Sequence, residues 1–332
     1  MKTAIVILNW NGKKLLEKFL PSIVKYSLKE ASIYVADNAS TDDSIDFIKK
    51  EFPTVNIIKN NINGGYSKGY NDALKKIDAD IYCLLNSDIE VTENWLPPIL
   101  EEFKKDTKTA IIQPKILDFK DKTKFEYAGA AGGFIDFYGY PYCRGRLFND
   151  LEKDNSQFND VVDVFWASGA CLFIRSNVYN ELNGLDEDFF AHQEEIDLCW
   201  RTKNKGYSIK YVGNSKVFHV GGATLQETNP RKTYLNFRNS LLNIVKNIPK
   251  KYLFTVLLTR LILDGFAGIK FILELKPAHT FAIFKAHLSF YLNFSKFLKK
   301  RGNSNKTEKY YLHKSIVWQY FVLGRKKFKN LT

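Results

Sequence analysis

Three clusters of side chains in this chain of 332 residues have the types and spacing to hold a cation and to move a proton. The apolar run Ile81-Tyr82-Cys83-Leu84-Leu85 stops at Asn86-Ser87-Asp88, which puts a carboxylate at the exit of a buried strand with an amide two residues earlier. A carboxylate there can bind a hard divalent cation, and such a cation can carry a phosphate leaving group. The second cluster, Glu194-Glu195-Ile196-Asp197, sets three acids within four residues. Crowded carboxylates repel, which raises a pKa and suits a general base or a metal partner. The same acids would also serve a solvated helix start, where they complement the helix dipole. The third is His219, 24 residues beyond Glu195, at the end of a strand-like segment and before Gly221-Gly222, a place from which an imidazole can ligate metal.

The elements that must position these groups alternate between strand and helix. Strand patterns cover 4–8, 32–36, 55–59 and 81–85, and helix patterns cover 13–26, 42–51 and 65–77. That alternation predicts an α/β fold with a parallel sheet wound by helices, whose strand ends share one edge. Asn9 and Asn11 follow the first strand, Asp37 and Asn38 the second, and Asn86 and Asp88 the fourth. An edge lined by amides and carboxylates suits a nucleotide, although Asp37 and Asn38 would equally serve as a turn and helix cap. Asn63-Gly64-Gly65-Tyr66-Ser67-Lys68 places glycines before a helix, either for a phosphate or for close packing. It is neither a Walker loop nor a Rossmann fingerprint, which argues against a nicotinamide dehydrogenase.

After a helix near 95–105 and a strand at 110–114, residues 118–161 are rich in Gly, aromatic and polar residues without periodicity. They read as a long, mobile loop region. Order returns at 162–175 and 177–182, followed by a helix at 194–205 and strands at 208–212 and 216–220. The four cysteines form no zinc spacing and read as reduced core thiols of a cytosolic protein. The short apolar N-terminus lacks a cleavage site and reads as the first strand.

The net charge of +13 is unevenly placed. Residues 231–332 carry 21 Lys/Arg against 3 Asp/Glu, a balance of +18 that leaves −5 for residues 1–230. The chain therefore divides into a catalytic domain, 1–230, and a basic helical region, 231–332. Charges at Arg260, Asp264, Lys270, Glu274 and Lys285 interrupt the apolar stretches, so no segment reaches the ~20 residues a spanning helix needs. The pattern predicts amphipathic helices lying on an anionic membrane face, the alternative being a helical domain with a solvated basic face. Interleaved Phe, Leu and Ile favour lipid over nucleic acid.

Taken in order, Val6–Gly12, Val35–Ser44, Asn63–Asn71, Leu84–Asp88, Trp166–Arg175, Gly184–Phe190, Glu194–Arg201, His219–Gly222 and Tyr234–Asn239 resemble a family 2 inverting glycosyltransferase, and most of all its bacterial rhamnosyltransferases. The resemblance covers about residues 1–245. It implies a nucleotide-sugar-binding GT-A-type (Rossmann-like) mixed sheet flanked by helices, with the C-terminal amphipathic helices as an extension. It implies that Asn86-Ser87-Asp88 stands where the family has its metal-binding D-x-D motif, so Asp88 is the carboxylate ligand and His219 the histidine ligand of Mg2+ or Mn2+. It also implies that Glu195 is the catalytic base, where Asp is more usual, with Glu194 and Asp197 as alternatives.

On this reading a sugar, rhamnose in the nearest subgroup, passes from a nucleotide diphosphate sugar to a hydroxyl of a saccharide or lipid-linked acceptor. Asn9, Asn11 and Asp37 hold base and ribose, and Asn63, Gly65, Lys68 and Asn86 lie near the nucleotide. Trp166 and the 129–145 loop are candidates for sugar or acceptor contacts, since an aromatic face stacks on a sugar ring, with a core position for Trp166 as the equal alternative. The enzyme would sit peripherally on the cytoplasmic face of the inner membrane. The competing reading is a non-catalytic, membrane-bound scaffold or sugar-binding subunit with the same fold.

Overall fold

A computed structural model describes residues 1–221, 229–302 and 307–332. Gly222 of the His219–Gly222 motif lies outside the described residues. In chain order the elements are β1 Thr3–Asn9, α1 Lys13–Ser27, β2 Ser32–Asp37, α2 Ser44–Glu51, β3 Asn56–Lys59, α3 Gly65–Leu74, β4 Ile81–Asn86, β5 Ile89–Val91, α4 Leu96–Lys105 and β6 Thr109–Asp118. Four short strands follow: β7 Gly133–Ile135, β8 Pro141–Cys143, β9 Arg146–Leu147 and β10 Asp150–Leu151. Then come β11 Val161–Asp163, β12 Cys171–Arg175, α5 Ser176–Glu181, α6 Glu194–Asn204, β13 Ser208–His219, α7 Pro230–Asn247, α8 Lys250–Leu273 and α9 Pro277–Lys299.

The main sheet runs β11-β13-β6-β12-β4-β1-β2-β3, with β5 added against β13. β1, β2, β3 and β4 are parallel, while β12 enters antiparallel between β4 and β6. It is therefore a mixed sheet flanked by helices. Alternation along β1 divides the core in two. Ile5 and Ile7 pack with Leu16, Leu20 and Trp95 on one face, and Val6 packs with Tyr70, Leu84 and Trp200 on the other. All four cysteines are buried and unbridged.

Two expectations are corrected. The two strands read at 208–212 and 216–220 are one, β13, with its register against β6 broken between Val212 and Lys216. The region 118–161 is not a loose loop: β7–β10 form an antiparallel sheet. Its strands of two or three residues are too short to show an alternation. Their packing partners are also remote in sequence, as where Tyr142 bonds His313 at 2.6 Å and Phe137 stacks on Tyr310.

Among the described residues no helix is long and apolar enough to cross a membrane. α7 lies against α9 and α6, and α8 against α9.

Candidate active site

The ends of β1, β2 and β4 lie side by side, because Asn9 pairs in register with Asp37 and Leu8 with Asn86. Asn9 is fully buried, and its amide donates to Asp37 (3.2 Å), Ser40 (3.2 Å) and Ser44 (3.0 Å). It is thus an organiser of this corner. Asn11, in the left-handed region at φ 50°, accepts from the Thr41 amide at 2.7 Å and ties the 40–42 turn to the end of β1. Asp37 accepts from the Ser40 amide at 3.1 Å. Asn38 donates to Asn63 at 2.8 Å and to the Gly65 carbonyl at 3.2 Å, which draws the Gly-rich turn onto the same edge. Lys68 is engaged by Asp72 at 2.8 Å, whose carboxylate pushes the ammonium pKa up.

Asn86 carries this edge toward the acids. Its amide N–H donates to Ala170 at 3.0 Å, and the neighbouring Gly169 carbonyl accepts from the Tyr66 hydroxyl at 2.6 Å. A Cβ on Gly169 would meet Tyr66 at 2.8 Å and the Glu195 side chain at 3.7 Å. Glu195 therefore stands beside a glycine and a tyrosine at the head of β12, next to the end of β4.

The three acids of α6 have different surroundings. Glu194 is buried with one carboxylate oxygen lacking any partner, and burial, with Glu195 alongside, pushes it well up. Glu195 is partly buried, and desolvation, against backbone N–H donors that pull the other way, pushes it up to about 7. Asp197 is fully buried, and burial alone would push it up, yet Arg201 (2.7 Å) and Lys246 (2.8 Å) hold it below the usual carboxylate range. Asn247 donates to its other oxygen at 2.8 Å. Asp197 is thus engaged in an interior ion-pair network.

The segment ahead of these acids is held from outside the sheet. Phe190, His192 and Gln193 have φ of 66°, 67° and 75°, a conformation that costs non-glycine residues about 1–2 kcal/mol each. From α7, the Asn239 amide nitrogen lies 3.0, 2.9 and 2.8 Å from the carbonyl oxygens of Phe189, Ala191 and His192, and Asn243 donates to Gln193 at 3.3 Å. Lys246 bridges Asp186 and Asp197, and Lys300, just past α9, reaches Asp186 and Asp188 at 2.6 Å each. Arg238 belongs to a motif of the resemblance and donates to the Asp188 carbonyl at 3.0 Å. No sequence pattern assigned Asn243, Lys246 or Lys300 to this task.

At the far end of β4, Asp88 and His219 meet, with Nε2 to Oδ1 at 3.2 Å. Glu126, which sequence reasoning missed, approaches Nδ1 from the other side at 3.3 Å. It lies in the aperiodic stretch after β6, where nothing in the pattern marks it. Burial disfavours the imidazolium, but the two flanking carboxylates prevail and push His219 up to about 10. Among the described residues no group of three or more His, Cys, Asp or Glu side chains is arranged to hold a metal ion. The donor types nevertheless fit one, since Asp88 is a buried carboxylate and the Nδ1 of His219 is buried without an aligned hydrogen-bond partner. Trp166, expected near sugar, is buried with its indole N–H donating to Phe134 at 2.8 Å and its ring against Gly133. Its face is closed to a ligand because it fills the gap that Gly133 leaves. The 129–145 loop, also expected to face sugar or acceptor, contains β7 and β8 and packs on residues near the C-terminus, as the Tyr142–His313 contact shows.

Residues 4–181 match the family described as Glycosyl transferase family 2. The chain is 23% identical over 231 residues to an N-acetylglucosaminyl-diphospho-decaprenol L-rhamnosyltransferase of Mycobacterium tuberculosis, covering 65% of this chain and 75% of that one. In fold it is similar to GalNAc-T7 solved with UDP, GalNAc and Mn2+, with a TM-score of 0.58 at 16% identity. That match covers 74% of this chain but only 48% of the GalNAc-T7 chain. It is also similar to S. aureus TarS 1-349 in complex with UDP-GlcNAc, with a TM-score of 0.55 at 15% identity, over 90% of this chain and 91% of that one.

Proposed function

The chain belongs to glycosyl transferase family 2 and is a glycosyltransferase, and from that premise we propose that it moves a sugar from a nucleotide diphosphate sugar to an acceptor hydroxyl with inversion at the anomeric carbon. The observation that carries this is Glu195, a carboxylate pushed up to about 7 and set beside Gly169 on the sheet edge that also bears Asp37, Asn86 and Asp88. A base poised near neutral pH suits a hydroxyl that loses its proton only as it attacks.

In the proposed step the acceptor oxygen attacks the anomeric carbon, its proton passes to Glu195, and the bond to the diphosphate oxygen breaks with the electron pair leaving on the diphosphate. Glu194, pushed well up by burial and by the neighbouring carboxylate, leaves Glu195 as the base of the pair. Asp37 and the turn drawn in by Asn38 and Asn63 would seat base and ribose. Asp88 and His219 would hold a divalent cation, Mg2+ or Mn2+, whose chemistry there is to neutralise charge on the departing diphosphate. The Mn2+ in the GalNAc-T7 structure supports that choice of metal. The rhamnosyltransferase likeness supports a donor such as a nucleotide-linked rhamnose and a lipid-linked saccharide as acceptor.

The test is a panel of nucleotide sugars offered to the purified full chain with Mg2+ or Mn2+, product being followed by mass and anomeric configuration by NMR. One donor should give product of inverted configuration, and Glu195→Gln should cut turnover by about 10³-fold while nucleotide binding persists. Product of retained configuration, or turnover surviving in Glu195→Gln, would overturn the mechanism.

A further inference from the structure

α8 is built inside out for a helix in water. Its two central charges face the protein: Arg260 is 2% and Asp264 0% exposed. Arg260 donates to the carbonyls of Tyr138 and Gly139 at 3.2 Å each and stacks 3.8 Å from the Tyr140 ring centre, and Asp264 takes His287 at 3.1 Å. On the outward face, at a helical spacing of four, stand Phe254 (79% exposed), Leu258, Ile262 and Phe266. α9 repeats the arrangement with Phe281, Phe284, Leu288 and Leu292 exposed, and Leu273 and Leu275 project at the turn between them.

A helix pair in water shows polar residues outward, and a continuous apolar face of this length on a monomer marks an interaction site. Arg260 and Asp264, the two charges that interrupt the hydropathy at the middle of α8, are engaged inside the protein, so they are no obstacle to lipid contact. We infer that the outward face of the α8–α9 hairpin lies in the plane of an anionic bilayer, its apolar side chains dipping below the headgroups without crossing.

Charge selects this occupant over a second copy of the chain. Lys250, Lys251, Lys270, Lys276, Lys285 and Lys299 are exposed on the hairpin, and the one acid between the helices, Glu274, is already paired with Lys270 and Lys276. A self-associating face would bring two regions of 21 Lys/Arg and 3 Asp/Glu together. Anionic headgroups match that excess, and apolar burial with basic attraction is the combination that holds an interfacial helix. The hairpin is continuous with the catalytic half, since Lys296 on α9 and Lys300 just beyond it pair with Asp188 at 2.7 and 2.6 Å.

The inference does not depend on the transfer reaction and is tested without it. Full-length protein is mixed with vesicles of phosphatidylcholine containing phosphatidylglycerol, and partitioning is measured by flotation at low and high salt. The protein should float with the vesicles and bind less as salt rises, and Leu258→Lys combined with Phe266→Lys should weaken partitioning by at least about tenfold. As a measurement free of substitutions, hydrogen exchange on the native chain should show vesicle-dependent protection concentrated in 250–299. Failure to float, equal flotation of the double variant with protection elsewhere, or a stable dimer that buries this face and leaves no vesicle binding would each overturn the inference.

Discussion

The two sides of the site are held together by opposite means. On the nucleotide side, Asn9, Asp37, Asn38 and Asn63 bond one another across adjacent strand ends, so the sheet that presents them also fixes them. On the base side, the segment 186–193 runs through three left-handed non-glycine residues and is held by α7 and Lys300, through contacts 47 to 114 residues apart in the chain. The first arrangement is local and self-supporting. The second stores strain that a distant element must offset, so the basic C-terminal region is structurally part of the machinery that presents Glu195.

The largest effect should come from breaking the interior ion pairs on the base side. Asp197→Ala would leave Lys246 and Arg201 facing a lost partner in a buried place, and should lower stability by about 3 kcal/mol, read from denaturant unfolding. Because Asp197 is held ionised by those cations, its contribution is present above the ordinary carboxylate pKa and is lost as pH falls below it. The fraction that remains folded should keep its turnover number. Turnover lost in step with Glu195→Gln, at unchanged stability, would move the base to Asp197.

Asn239→Ala should act next, through geometry. Three carbonyls lose their donor and the left-handed segment can relax, so kcat should fall by about 10- to 100-fold while the donor KM stays within about threefold. The matched change on the nucleotide side, Asn38→Ala, should do the reverse, raising donor KM with little change in kcat. Should both variants alter kcat and KM alike, the two sides would not be separable. The pH profile sharpens the same contrast. With Glu195 pushed up to about 7, kcat/KM should rise with pH through that value as the carboxylate forms. Asn239→Ala should move this limb by altering the burial of Glu195, whereas Asn38→Ala should leave it in place.

The difference between the two sides also explains what could be read in advance. Strands β1 to β4 and the residues at their ends follow from apolar runs that alternate with helix patterns over short distances, and the pairing of Asp88 with His219 follows from the family resemblance. Glu126 did not show, because its role comes from a contact to β13 across an aperiodic stretch. Asn243 and Lys246 look like ordinary polar positions of an amphipathic helix until the helix is placed against residues 186–197. Trp166 illustrates a choice the sequence leaves open, since an aromatic near a site pattern suits a sugar platform or the core equally, and the missing side chain at Gly133 makes it a core residue. Arg260 and Asp264 were legible as charges within apolar helices, but a linear pattern does not say which side they face once Tyr140 and His287 supply partners.

The smallest expected effect probes a close approach between the two sides. Gly65 has φ +76°, and a Cβ there would stand 3.3 Å from the Phe190 carbonyl oxygen and 3.5 Å from its ring. Gly65→Ala alone should cost about 1 kcal/mol from the left-handed backbone, with the neighbouring loop yielding by a few tenths of an ångström. In the native protein that loop cannot yield freely, because Asn239 holds the carbonyls on both sides of Phe190. Once Asn239→Ala has released it, the added methyl should be accommodated at lower cost, so the double variant should be more stable than the sum of the single changes predicts. A coupling of about 0.5–1 kcal/mol is expected from unfolding measurements on the four proteins of the cycle. Strict additivity would mean that Phe190 yields without disturbing the clamp, and that the two sides of the site touch without communicating.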